Sequence, residues 1–157
     1  MKIILASTSP RRKELLEREG IDFIIDASSI TECLDSSLEI EERLKKLAYD
    51  KGVSIHEKYP DDVVISADTT IYHSGKIIGK AHSAHEAREI LESLSSDTHS
   101  VFTSVAVFYK DQVCTFVDET KVTFKNINDM IDDYLSLGFQ HGGSFQIWSS
   151  VVLRRIQ

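Results

Sequence analysis

Ser7-Thr8-Ser9-Pro10-Arg11-Arg12 brings hydroxyls and two guanidinium groups together in one short stretch. Residues 2–6, apolar after Lys2, read as a buried strand that this stretch ends abruptly. Ser9 suits a helix N-cap, and Pro10 suits the first turn, where its missing N–H would have had no intrahelical partner. Leu15 and Leu16 would then face the core and Gly20 would close the helix. Cations at the positive end of a helix dipole are unfavourable by roughly 0.3–1 kcal/mol each, so an anion at this junction would offset Arg11 and Arg12. Phosphate is the natural guest, since backbone N–H groups, hydroxyls and guanidinium forks all donate to its oxygens. A solvated basic turn paired to Glu14 or Glu17 is the competing explanation.

A phosphate pocket needs further cations. A helix opened by the capping-box pair Ser36 and Glu39 carries Ile40, Leu44, Leu47 and Ala48 on one stripe, which Lys51 continues just before Gly52. An ammonium group ending a core-facing seam belongs at the mouth of the fold rather than on the solvated side. Lys80 follows the pliable Ile78-Gly79 step. Each lysine alone has a surface explanation, and it is their coincidence with the first loop that gives them weight.

The chemistry also needs a base. Asp68 follows the apolar run Val63-Val64-Ile65 and Ser66-Ala67, which puts it at the carboxyl end of a strand, where open α/β sheets build their sites. There a carboxylate can hold a hard divalent cation or activate a water beside phosphate. An Asx turn with Thr69 is the alternative. Glu32, in a polar loop over 28–37, reads from its surroundings as a solvated residue.

Around these positions the elements alternate. Residues 21–25 suggest a second strand, and Ser83 with Glu86 opens a helix lined by Ala87, Ile90, Leu91 and Leu94. Residues 101–108 and 113–124 predict a long hairpin about Lys110-Asp111-Gln112. Asn128 could cap a last helix bearing Ile131, Tyr134 and Leu135 and ending at Gly138, before a final strand at 151–153. Early alternation followed by a hairpin predicts an α/β domain with a mixed sheet.

The chain has 157 residues, enough for one core. A 41% hydrophobic and 27% charged composition describes a soluble globular domain. Eighteen Lys and Arg against 25 Asp and Glu leave a formal charge of −7, a repelling field for duplex nucleic acid. Any anionic partner should therefore be small. Cys33 and Cys114 have no metal or disulfide-framework spacing, and the N-terminal apolar run is too short for a signal peptide, so a cytoplasmic protein with no membrane segment is expected. The Walker, dinucleotide, nucleophile-elbow and zinc-protease patterns are missing, and the six His form no convincing cluster.

Taken in order, Leu5-Ala6-Ser7-Thr8-Ser9-Pro10-Arg11-Arg12 with Glu14-Leu15-Leu16, then Leu47-Ala48 with Lys51, Ala67-Asp68-Thr69, Gly79-Lys80, and Leu94-Ser95 with Thr98-His99 and Thr103, resemble the Maf family of nucleoside triphosphate pyrophosphatases, also called septum-formation inhibitors. The resemblance covers nearly the whole of 1–157 and implies a single α/β domain. It further implies an elongated mixed β-sheet flanked by helices and a central nucleotide cleft. It implies metal-dependent cleavage between the α and β phosphates, with Mg or Mn as the divalent cation and Asp68 accepting the proton of the attacking water. Ser7, Ser9, Arg12, Lys51 and Lys80 would line the phosphate path, Glu32 would join Asp68 in holding the metal, and Arg11 with Thr69 would tune base choice.

The Ser-Pro-Arg-Arg and Ala-Asp-Thr forms resemble the branch acting on dTTP and UTP. The chain departs from the family at Ala81 for a proline, at Ser96-Asp97 for Gly-Arg, and in 142–148, where Trp148 stands in a glutamine's place. It also stops where relatives continue, which implies an uncovered sheet edge and hence a homodimer. A shortened, non-catalytic relative that binds nucleotide or a division partner is the alternative function.

Overall fold

The structure, a computed structural model, describes residues 1–27 and 37–138. Glu32, the Ser36 cap, the 142–148 segment and the final strand expected at 151–153 lie outside the described residues. The elements run β1 (Ile3–Leu5), α1 (Pro10–Arg18), β2 (Ile24–Ile25), α2 (Ile40–Lys58), β3 (Val63–His73), β4 (Lys76–Ile78), α3 (Ala84–Leu94), β5 (Thr98–Tyr109), β6 (Gln112–Thr123), a 3-10 turn (Asn128–Met130) and α4 (Ile131–Gly138). The six strands form one sheet in the order β2-β1-β3-β5-β6, with β4 pairing β3. Parallel β1–β2 and β1–β3 pairs and an antiparallel β3–β4 pair make it the expected mixed α/β sheet.

The chain divides into two compact units, Met1–Thr69 with Phe102–Glu119, and Thr70–Val101 with Thr120–Gln157. In the first, Ile4 and Leu5 on β1, Val64 on β3, Ala106 and Phe108 on β5, and Leu44, Leu47, Ala48 and Ile55 on α2 are buried. Helix α1 is different. It buries no residue, Leu15 is 50% exposed and Leu16 only half-buried, so the expectation that both face the core is corrected. Gly20 does end the helix: it has φ +69, its N–H bonds Glu17 O, and the Ile21 N–H reaches back to Leu16 O.

Helix α2 runs on through Gly52 to Lys58. Its N-cap is Glu39, with no side-chain cap bond. Gly52 is buried where α2 presses on the sheet: a Cβ there would lie 2.5 Å from Ser66 Oγ and closer still to Phe108 Cε2. Ser66 has little room to yield, because its hydroxyl donates to Ala48 O at 2.6 Å. Gly52→Ala is therefore expected to lose about 1–3 kcal/mol of stability through overpacking, despite the better helix propensity of alanine. Urea unfolding measures it, and an unchanged midpoint would show that the helix can lift without cost.

In the second unit the apolar stripe of α3 (Ala87, Leu91 and Leu94) packs with Phe124, Ile127, Ile131 and Leu135. Ser83 caps α3 by accepting the Glu86 N–H, as expected, while the Glu86 carboxylate takes the His82 N–H. Asn128 is not a cap as expected but the first residue of the 3-10 turn, whose N-cap position is Ile127 without a side-chain cap bond, and the Asn126 side chain accepts the Asn128 N–H. The Ser74-Gly75 turn between β3 and β4 has positive φ at both residues, as a tight two-residue hairpin requires. The β5–β6 hairpin forms as predicted, closing at Lys110-Asp111 and facing Thr98 with Thr123 at its far end.

The second unit also gathers histidines that the sequence left scattered. His73 Nε2 lies 2.8 Å from Asp97 Oδ2, and this bond, with the Thr98 N–H, holds the Asp97 carboxyl below its ordinary range. His99 is 2% exposed and edges onto Phe124. Burial pushes its imidazole down to about 4, with His73 adding to the shift and Asp97 opposing it. The unfolded chain thus takes up a proton near pH 6.5 that the folded chain refuses until about pH 4. Stability conferred by His99 is present above pH 6.5 and is expected to fall by about 2–3 kcal/mol as the pH drops through that window. Denaturant midpoints from about pH 7 to 4 check this, and His99→Gln should flatten the slope.

Candidate active site

The site grows from the point where β1 becomes α1. Register Leu5↔Ile65 and a bond from the Ala6 N–H to Ile65 O (2.8 Å) close the β1–β3 pairing. Beyond it β3 continues, so Asp68 is mid-strand, which corrects its expected place at a strand's end. The functional geometry survives the correction, because the strand that does end there is the parallel neighbour β1. Ser-Ala-Asp-Thr has turn-like composition, but Ser66 and Asp68 project from an extended backbone toward α2, where each finds a partner.

Ser7, 7% exposed, is the hub of the first loop. Its Oγ accepts the Ser9 N–H at 3.2 Å and Arg12 Nη1 at 2.9 Å. Arg12 also donates through Nη2 to Thr69 Oγ1 at 3.4 Å, so one guanidinium spans the loop and β3. Burial lowers the Arg12 pKa from its ordinary value, and the nearby Asp68 charge opposes that shift. Ser9 is the N-cap residue of α1 but makes no side-chain cap bond.

Lys51 and Asp68 form an ion pair, Nζ to Oδ1, with side chains only 20% and 13% exposed. The ammonium group predicted to sit at the end of an apolar stripe thus meets the predicted base directly. Gly52, the next residue, sets how closely the α2 backbone, and with it Lys51, approaches β3.

Of the expected site residues, the first unit brings together Ser7, Ser9, Arg12, Lys51, Asp68 and Thr69. Arg11 sits in the same helical turn with its side chain exposed. Lys80 is exposed in the second unit, just after β4. Ser66 and Gly52, which fix the seat of α2, were not singled out from sequence as site supports. Their only local signals are a polar residue in an apolar strand and a glycine inside a helical pattern.

No trio of His, Cys, Asp or Glu suited to a metal occurs among the described residues. The Asp68 carboxylate nevertheless fits Mg²⁺ or Mn²⁺, hard cations that commonly take one or two carboxylates and complete their shell with substrate phosphates and water. Chemically, the junction offers donors for an anion and one carboxylate able to accept a proton beside it.

The Maf-like protein family model matches residues 2–157. A dTTP/UTP pyrophosphatase of Bacillus cereus is 40% identical over 136 residues, covering 86% of this chain and 71% of the relative. Another dTTP/UTP pyrophosphatase, from the Q1 strain of Bacillus cereus, is 38% identical over 161 residues and spans 99% and 84% of the two chains. That from Halalkalibacterium halodurans is 38% identical over 148 residues, spanning 92% and 78%. The Staphylococcus aureus Ham1 protein is similar in fold, with TM-score 0.50, 13% identity, and coverage of 77% of this chain and 70% of that one. With the sequence motifs, the mixed sheet and the family match all in agreement, this chain belongs to the Maf-like protein family.

Proposed function

We propose that the protein is a nucleoside triphosphate pyrophosphatase that cleaves dTTP, UTP or modified pyrimidine triphosphates to the monophosphate and pyrophosphate. The observation that carries this reading is the Lys51–Asp68 pair beside the Ser7–Arg12 junction: a base and anion-binding cations share one end of the sheet. The similarity to dTTP/UTP pyrophosphatases supports the same reaction.

In this reading Ser7, Ser9, Arg12, Lys51 and Lys80 bind the triphosphate, and Arg11 and Thr69 bear on base choice. Asp68 takes a proton from water as its oxygen bonds to the α phosphorus, and the electron pair of the breaking α–β bridge leaves with pyrophosphate. Positioning and charge dispersal supply the rate, so cations around the departing group matter as much as the base. A divalent cation, Mg²⁺ or Mn²⁺, held by Asp68 and Glu32 with phosphate oxygens, would withdraw charge from the triphosphate.

We extend the reading to a cytoplasmic homodimer. Cys114 is a free, exposed thiol, suited to a reducing compartment. Ile24 and Ile25 on β2, at one end of the described strand order, are exposed apolar residues that a second copy could cover. Sedimentation equilibrium tests this part, and a monomer at every concentration would remove it. No helix among the described residues is long and apolar enough to cross a membrane.

The deciding experiment is pyrophosphate release from a panel of nucleoside triphosphates with Mg²⁺ or Mn²⁺ and with EDTA. Metal-dependent release from dTTP and UTP is expected. Nucleotide binding without release would point instead to a non-catalytic regulatory relative.

A further inference from the structure

Ser104 on β5 is 1% exposed, and its Oγ has no hydrogen-bond partner among the described residues. A hydroxyl buried this way is costly and calls for an explanation. Its location supplies one. On neighbouring β3 and β5, Ser66 Oγ lies 3.5 Å from Ala106 O. Following α2, Ala48 and Lys51 meet Ser66 and Asp68, Gly52 meets Ser66 and Phe108, and His56 stacks on Phe108 and reaches Lys110 O. Farther along, His73 at the end of β3 meets Asp97 just ahead of β5, so β5 runs back along β3 and the two strands are antiparallel. Two residues onward from Ser66 is Asp68, and two residues back from Ala106 is Ser104. With side chains alternating along each strand, both fall on the face that α2 covers, opposite one another, at a cross-strand spacing of about 5 Å.

We infer that Ser104 is a positioning residue for Asp68: its hydroxyl turns to donate to the Asp68 carboxylate when Lys51 leaves that carboxylate for a bound triphosphate. This rests on the function proposed above, in which Lys51 binds phosphate and Asp68 takes a proton from water. Charged groups facing Asp68 are Lys51 from α2 and Arg12 from α1; β5 contributes the uncharged Ser104. In the structure the Lys51 ammonium pairs with Asp68. With Lys51 drawn away, the serine is the donor that holds the carboxylate oriented toward water.

The test compares the full-length protein with Ser104→Ala and Ser104→Thr. Ser104→Ala is expected to melt at the same temperature or higher, since it removes an unsatisfied hydroxyl. Its kcat on dTTP should fall about tenfold with KM within about twofold. Ser104→Thr, which keeps the hydroxyl, should restore kcat. Independently of turnover, the ¹³C chemical shift of the Asp68 carboxyl, read at one fixed pH in a Lys51→Met background, should change when Ser104→Ala is added and return with Ser104→Thr. A wild-type kcat in Ser104→Ala would overturn the inference, as would an unchanged carboxyl shift. Absence of pyrophosphate release from the wild type would sink the proposed reaction instead, and the carboxyl shift would still decide the role of Ser104.

Discussion

Asp68→Asn is expected to lower kcat on dTTP by at least about a hundredfold, on the order of 3 kcal/mol, while the fold persists. The amide is nearly isosteric with the carboxylate, so β3 and its seat beneath α2 need not change. What disappears is the acceptor for the water proton and the negative charge that holds Lys51. Substrate binding should survive or improve, because the phosphate loop loses a nearby anion while keeping Arg12 and Ser7. The expected signature is a collapsed kcat with KM unchanged or lower, measured by pyrophosphate release alongside circular dichroism. Wild-type turnover by this variant would remove Asp68 from the chemistry.

The second large effect is expected from Lys51→Met, which keeps the apolar stem and removes the charge. It leaves the Asp68 carboxylate, 13% exposed, without the ammonium it pairs with, and breaking a buried pair from one side is costly. During turnover it removes a cation from the departing pyrophosphate. Losing one preorganised electrostatic donor costs about 10²–10³ in rate, or about 3–4 kcal/mol, and a similar fall in kcat/KM is expected here. Arginine is not a conservative rescue, since its longer planar fork cannot occupy the space of a compact ammonium between α2 and β3. The double variant Lys51→Met with Asp68→Asn should be less unstable than the sum of the two single changes, because the neutral amide no longer strands a charge. Strict additivity in urea would mean the pair is not coupled.

Much of this site is legible from local pattern. The stripe ending in Lys51, the Ser-Pro-Arg-Arg junction and the strand leading to Asp68 follow from helix and strand periods, and the structure brings them together. Where the reading fails, tertiary contacts override local composition. Nothing in the local pattern shows that Gly52 is the place where α2 must touch Ser66 and Phe108, residues distant in sequence. Ser66-Ala67-Asp68-Thr69 resembles a turn, yet α2 satisfies two of its polar side chains and the strand continues. Leu15 has the spacing of a core residue, but α1 buries none of its length among the described residues. The cluster of His73, Asp97 and His99 joins the start of β5 to the end of β3, and no spacing along the chain announces it.

The two bonds converging on Ser7 have a consequence for ligand polarity. A hydroxyl oxygen offers two lone pairs and one hydrogen, and here the Ser9 amide and the Arg12 guanidinium take both lone pairs. Only the hydrogen is left to offer, so toward any visitor Ser7 acts as a one-directional donor. An oxyanion satisfies it; an ammonium or amide group presented at the same spot would meet hydrogen against hydrogen. Chemical sorting at this corner thus begins with how two neighbours have already committed a single oxygen.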